Sequence, residues 1–252
     1  VQLDRDMGEP LKQPPLVEAL CEFRFDLAGT NELTLPGLFY AQVKDEFPIQ
    51  TSVNEICLPI SVDDRPNIPP IATQRLQLRR PDNSATIQMG QSRLIINHLK
   101  PYISWNAFRE LILKTFKQYI NLCSRFTLNQ IRLRYINHIP LPSEEIKIDN
   151  FLTTLPLFPK PFSREISRFQ QTYEFREESS TDSSLVHKTS IATKSNDEVV
   201  LILDLDFVSQ RIEIGDPPDL SEGLIPWLNQ AHDRIEAVFI ASLNPSYYES
   251  LK

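Results

Sequence analysis

In LVEALCEFRFDL, residues 16–27, side chains alternate with a period of two. Val17, Ala19, Cys21, Phe23 and Phe25 fall on one side and Glu18, Glu22, Arg24 and Asp26 on the other, with Leu20 interrupting the charged row. Successive side chains of a strand point to opposite faces, so this pattern describes a half-buried strand and no helix. A chain that contains it must build a sheet with one apolar and one polar face, and must find cover for the first. The preceding Pro14 and Pro15 limit where the strand can begin.

The segments that follow supply cover and further strands. TLPGLFYAQVKDEFP places Leu35, Leu38, Phe39, Val43 and Phe47 at three and four spacing, an amphipathic helix with Thr34 as its cap and Pro48 past its end. Between Glu55 and Leu99, EICLPIS, RLQLRR, ATIQMG and RLIINHL read as short strands, separated by DDRPNIPP, PDNS and GQS. Those separators have turn composition, so an antiparallel meander is expected. SWNAFRELILKTFKQYINLC then keeps Phe108, Leu111, Ile112, Phe116, Tyr119 and Cys123 in helical register, with Ser104 placed to cap it.

The order then starts again. NQIRLRYINHIP alternates Ile131, Leu133, Tyr135 and Ile139 with Arg132, Arg134 and His138; IDNFLTTL is a short helical candidate. EISRFQQTYEFREE, SLVHKTSIAT and EVVLILDLDFV read as strands, RIEI as a further one, and SEGLIPWLNQAHDRIEAVFIASL as a closing helix with Ser221 as its cap. EESSTDSSL, residues 177–185, is polar and Ser-rich and is expected to be a mobile hairpin tip. The expected fold is therefore α+β: duplicated β-α-β(3–4)-α halves, residues 1–127 and 128–252, forming an antiparallel sheet covered on one face by two long helices in one continuous unit. That element order is the order of each half of the TATA-binding-protein-like fold, an analogy of topology and not of sequence.

Few motifs for chemistry are present. The 252 residues hold only 6 glycines, and neither GxxxxGK[ST] nor GxGxxG occurs, nor GxSxG or SxxK. The net charge of −7 repels phosphate backbones and anionic lipid, which disfavours nucleic acid and membrane as partners. Cys21, Cys57 and Cys123 have no CxxC spacing and read as reduced residues; with no signal-peptide core in VQLDRDMGEP, the cytoplasm is the expected location. The histidines show no metal-binding spacing, His232 reads as a helix-surface residue, and no cofactor is expected. Trp105 and Trp227, near the starts of the two long helices, read as anchors to the sheet.

Two local patterns keep alternatives open. Asp204 and Asp206 in LILDLDF project from one strand face, the arrangement a metal-dependent hydrolase or phosphoryl-transfer enzyme requires, or else pair with arginines of a neighbouring strand. Arg75, Arg79, Arg80, Arg132 and Arg134 form a basic set that could bind RNA or DNA, or could pair with Glu18, Glu22, Glu174 and Glu177. His138 shares the polar row of its strand.

PPLVEALCEFRF, the helix ending in DEFP, RYINHIPLP and the LDLDF strand together resemble a sporadically distributed prokaryotic family of unknown function. The resemblance covers nearly the whole chain and carries over no catalytic residue. Its distribution implies genes that move between genomes, as defence and toxin-neutralising modules do. The resulting expectation is a non-enzymatic accessory module that binds another protein through Glu18, Glu22, Arg24, Arg75, Arg79, Arg132, Arg134 and His138. The charged row of the opening strand is expected to pair with the Arg132 and Arg134 row.

Overall fold

The computed structural model describes residues 11–29, 34–57, 71–90, 92–142, 148–153, 169–177, 180–193, 198–210, 220 and 223–252. The expected Ser221 cap and RIEI strand lie outside these residues, as do the side chains of Glu55 and Cys57.

In chain order the elements are β1 (Leu16–Ala28), α1 (Leu35–Val43), β2 (Ile49–Cys57), β3 (Ile71–Arg79), β4 (Ala85–Gly90), β5 (Arg93–Leu99), α2 (Trp105–Ile120), β6 (Arg125–Pro140), β7 (Gln170–Glu177), β8 (Ser180–Thr193), β9 (Val199–Gln210), α3 (Leu224–Ser242) and α4 (Pro245–Leu251). The nine strands form one sheet in the order β2-β3-β4-β5-β1-β6-β9-β8-β7. Every neighbouring pair is antiparallel. The opening strand thus lies inside the sheet, between β5 and β6.

The alternation in β1 sorts its side chains as the period-two pattern requires. Ala19, Cys21 and Phe23 are fully buried, and Phe25 nearly so. Phe23 lies 4.5 Å from the Phe116 ring of α2, and Phe25 lies 5.3 Å from Tyr119. Further along the sheet, Trp227 of α3 packs on Phe207 of β9 at 5.8 Å and donates its indole N–H to Ser209 Oγ at 2.8 Å. The helices α2 and α3 meet where Arg109 donates to Asn229 Oδ1 at 2.7 Å and where the Trp105 and His232 rings stack at 4.3 Å. Both tryptophans therefore hold helices to their neighbours.

Caps explain some helix limits and correct others. Ser104 Oγ accepts from the Ala107 N–H at 3.2 Å, as expected of its position before α2. Thr34 precedes α1 but makes no side-chain cap bond and has helical backbone angles; the first turn instead carries Pro36, whose fixed φ suits it. That helix ends at Val43, four residues short of Phe47, which is nonetheless buried against it. IDNFLTTL yields only a 3-10 turn over Ile148–Asn150 among the described residues.

Two strands are longer than their composition suggested. β2 begins at Ile49, within the polar IQTSVNE. β8 begins at Ser180, so the Ser-rich segment expected to form a loose tip is largely paired: Glu177 faces Ser180, and Ser183 Oγ meets Ser209 Oγ at 2.5 Å. Hydroxyl pairing between strands supplies what an apolar side chain would otherwise give. No helix is long and apolar enough to cross a membrane among the described residues.

Replacing Phe23 by Ala should destabilise the protein by about 3–5 kcal/mol, since the ring is wholly buried among aromatics that cannot collapse into the gap. Urea unfolding followed by circular dichroism measures it; a shift below about 1 kcal/mol would mean that the aromatic layer is not closely packed.

Candidate functional site

The strand register brings the charged residues of three central strands onto the face opposite the aromatic layer. Across the β1–β6 pair, Glu22 stands opposite Arg132 and Leu20 opposite Arg134. Across β6–β9, Arg134 stands opposite Asp206, and Ile136 opposite Asp204. Each arginine is long enough to reach diagonally. Arg134 binds Asp204 with two N–H donors, at 2.7 and 2.6 Å, and Arg132 likewise engages both oxygens of Asp206.

Glu22 is the hub on the other side. Its carboxylate contacts Arg24 at 2.6 Å, Arg93 of β5 at 3.4 Å and Arg132 at 3.8 Å. Glu18 accepts from the Asn97 amide of β5. The expected pairing of the β1 charged row with the β6 arginines is therefore present at Glu22, but the principal partners of Arg132 and Arg134 are the β9 aspartates.

Glu22, Asp204 and Asp206 are each only 6% exposed, whereas the Arg24 side chain is 42% exposed. Carboxylates taken out of water to this degree need both a counter-charge and hydrogen bonds to their oxygens. Burial pushes the Asp206 carboxyl above its ordinary value, and Arg132 only partly opposes this. The bond to Asp204 raises the pKa of the Arg134 guanidinium. On Arg132, burial is the largest influence and disfavours the charge, but the bond to Asp206 together with the charges of Asp206 and Glu22 outweighs it and the net shift is upward.

This geometry bears on both chemical alternatives. Asp204 and Asp206 each face a guanidinium, and no group of three or more His, Cys, Asp or Glu is placed to hold a metal among the described residues. Arg75 and Arg79 lie on β3, four strand spacings from β6, roughly 19 Å away at about 4.8 Å per strand. The paired Glu22 and Arg24 stand between them, and Arg80 engages Glu46. The arginines thus do not form one basic patch. His138 lies on β6 opposite Ile202. Glu177 meets Arg234 of α3 at 2.8 Å, not an arginine of the sheet.

The chain matches no family model and no curated protein.

A second polar group, on the helix side of the sheet, has no signal in strand alternation. Tyr135 OH lies 2.9 Å from His232 Nδ1 and 3.3 Å from Tyr102 OH. His232, expected on a helix surface, is instead stacked against Trp105 and held neutral: burial and the nearby Arg109 push its pKa down to about 4. The spacing of His232 to Leu228 and Ile235 on α3, four and three residues away, contained the only clue, since all three share one helical face.

A buried Ser–His pair also occurs, His187 Nε2 to Ser242 Oγ at 3.0 Å. The Ser242 hydroxyl donates to Val238 O at 2.6 Å, so the imidazole N–H must be the donor to Ser242. His187 then has no lone pair facing the hydroxyl and cannot act as its base.

Arg132→Met should cost about 3–5 kcal/mol because it leaves the Asp206 carboxylate buried without its bidentate partner. Combining it with Asp206→Leu should recover most of that loss. A double-mutant cycle in urea with no coupling between the two sites would contradict the assigned pairing.

Because the folded-state pKa of His232 is below the value of about 6.5 for an unfolded histidine, the folded protein binds fewer protons than the unfolded chain between the two values. Stability from this site is fully present above pH ~6.5 and is lost as pH falls toward ~4, by about 3 kcal/mol. The His232→Gln variant should show a shallower fall in urea midpoint between pH 7 and 4.5; an unchanged slope would remove His232 as the cause.

Proposed function

We propose that the chain is a non-enzymatic accessory module that presents the polar face of its sheet to a protein partner. The observation that supports this best is the cross-strand lattice of Glu22, Arg93, Arg132, Arg134, Asp204 and Asp206: its charges are satisfied by one another and fixed by strand register. Groups held in this way are poor general bases or metal ligands. They do make a rigid surface of alternating sign, which favours a partner of complementary charge pattern and opposes others.

On this reading the chain consists of two related halves, β1–α1–β2–β3–β4–β5–α2 and β6–β7–β8–β9–α3, joined where β1 meets β6, in a topology like that of the TATA-binding protein. Their long helices cover the apolar face and leave the polar face for the partner. The similarity of PPLVEALCEFRF and LDLDF to a sporadically distributed prokaryotic family supports a role in a mobile defence or toxin-neutralising cassette in the cytoplasm.

The test separates the surface from the lattice beneath it. Arg24 and Lys188 lie on the rim of the polar face, Arg24 half exposed and Lys188 opposite Asp204. Neutralising both, as Arg24→Gln and Lys188→Gln, should weaken capture of the native partner by about threefold or more, while the thermal midpoint shifts by only a few degrees, because Arg93 and Arg132 still face Glu22 and Arg134 still binds Asp204. Undiminished capture by a folded double variant would reject the polar face as the contact.

A further inference from the structure

The sheet ends on β7, whose one neighbour among the described residues is β8. Six of its eight residues are exposed, so its outer side offers a row of backbone N–H and C=O groups to a further strand. Edges are commonly blunted by Pro, by Lys, by a bulge or by brevity. The stretch QQTYEFRE holds neither Pro nor Lys, and its ladder to β8 is regular from Gln170 to Arg176.

Side chains distinguish this edge from the other. At the far end of the sheet β2 exposes Gln50, Thr51, Ser52 and Asn54, which water satisfies. In contrast, β7 exposes Tyr173 to 39% and Phe175 to 51%, with their rings 6.2 Å apart. Both stand on the helix side of the sheet: Phe175 is opposite the buried Leu185, and Tyr173 is opposite His187, which bonds Ser242 of α3. The helix stops short of covering them. It meets β7 where Arg234 donates to Glu177 at 2.8 Å, and an open groove of about 930 Å³ lies between helix and strand. An aromatic pair left uncovered on an edge gains from any pairing that removes it from water.

The opposite face of β7 carries Glu174 and Arg176, both exposed and neither ion-paired among the described residues. These two charges select the occupant. When two copies of one strand pair antiparallel in a continuous sheet, one residue lies on the two-fold axis, and the residue before it faces the residue after it across that axis. With Glu174 on the axis, glutamate meets glutamate; with Arg176 there, arginine meets arginine. With Tyr173 on the axis, Glu174 meets Thr172 and Arg176 meets Gln170. With Phe175 on the axis, Glu174 of each copy faces Arg176 of the other, and the two Phe175 rings meet with Tyr173 diagonal to them. Of the registers centred on Thr172 to Arg176, this one alone pairs opposite charges.

We propose that β7 is a self-association edge, at which two copies pair antiparallel about Phe175 with Glu174 against Arg176 and join their nine-strand sheets into one. The interface is one strand edge and two aromatic pairs, smaller than the roughly 1,200–2,000 Å² of standard stable complexes, so the dimer forms in the micromolar range. This edge is separate from the central charged lattice and its role stands without the partner-binding reading.

Sedimentation equilibrium of the full chain between about 1 and 300 µM tests it. The wild type should pass from monomer to dimer. Phe175→Lys, made at a half-exposed position, puts two ammonium groups on the axis and should remain monomeric with the wild-type circular dichroism spectrum. Glu174→Arg and Arg176→Glu should each weaken association by about tenfold or more, because each makes both cross-axis pairs like-charged. An equimolar mixture of these two variants should form a heterodimer about as tightly as the wild type, and the chain carrying both exchanges should self-associate again. These rescues decide the matter even if Phe175→Lys fails to fold. A wild type that stays monomeric at every concentration would overturn the proposal, as would a dimer that survives in folded Phe175→Lys, or charge variants that fail to associate with each other.

Discussion

The pairing of β1 with β6 is the joint on which the sheet depends. It runs from Leu16 opposite Asn137 to Ala28 opposite Arg125, with irregularities between Leu16 and Glu18 and between Arg24 and Phe25. Without it the sheet would part into β2-β3-β4-β5-β1 and β6-β9-β8-β7, and each fragment would expose a long, unpaired edge rich in Val, Ile, Leu and Phe. Such edges template aggregation, so this joint is where the fold can least tolerate opening.

Two layers hold the joint, one on each face. On one, Cys21, Phe23, Ile131 and Leu133 are fully buried and Phe116 of α2 lies over Phe23. On the other, Glu22, Arg132 and Asp206 carry an ionic line from β1 through β6 to β9. Buried ion pairs contribute little net stability, because desolvation offsets much of their attraction. Their effect here is on register. A one-residue slip of β1 against β6 would turn Glu22 into the aromatic layer and bring Phe23 among the arginines, at a cost far above that of any slip between uniformly apolar strands.

Much of this was legible in the sequence where side-chain type alternates strongly. The strand positions of β1, β6 and β9, the antiparallel sheet and the capped helix α2 all follow from periodicity and from Ser104. Legibility failed where structure came from tertiary partners. IQTSVNE and the Ser183–Ser184 end of the Ser-rich segment have the composition of loops, yet pair as strands because β3 and β9 offer them ladder partners. α4 starts at Pro245 behind an Asn244 cap and is too short to show a helical period. The interleaved charges were visible as rows, but which carboxylate each arginine takes depends on the lateral order of strands. Only that order places Asp206 and Glu22 on either side of Arg132. The Tyr102–Tyr135–His232 line joins the segment before α2, the strand β6 and the helix α3, and leaves no local pattern in any one of them.

The fold rests on a continuous sheet with its strongest point at the β1–β6 joint. Native-state hydrogen exchange, read residue by residue, tests this most directly. The amides of Cys21 to Arg24 and of Ile131 to Arg134 should be among the slowest in the protein and should exchange only with global unfolding. Exchange of these amides at a lower free energy than those of β4 or β8, with the two sides of the joint unfolding separately, would contradict it.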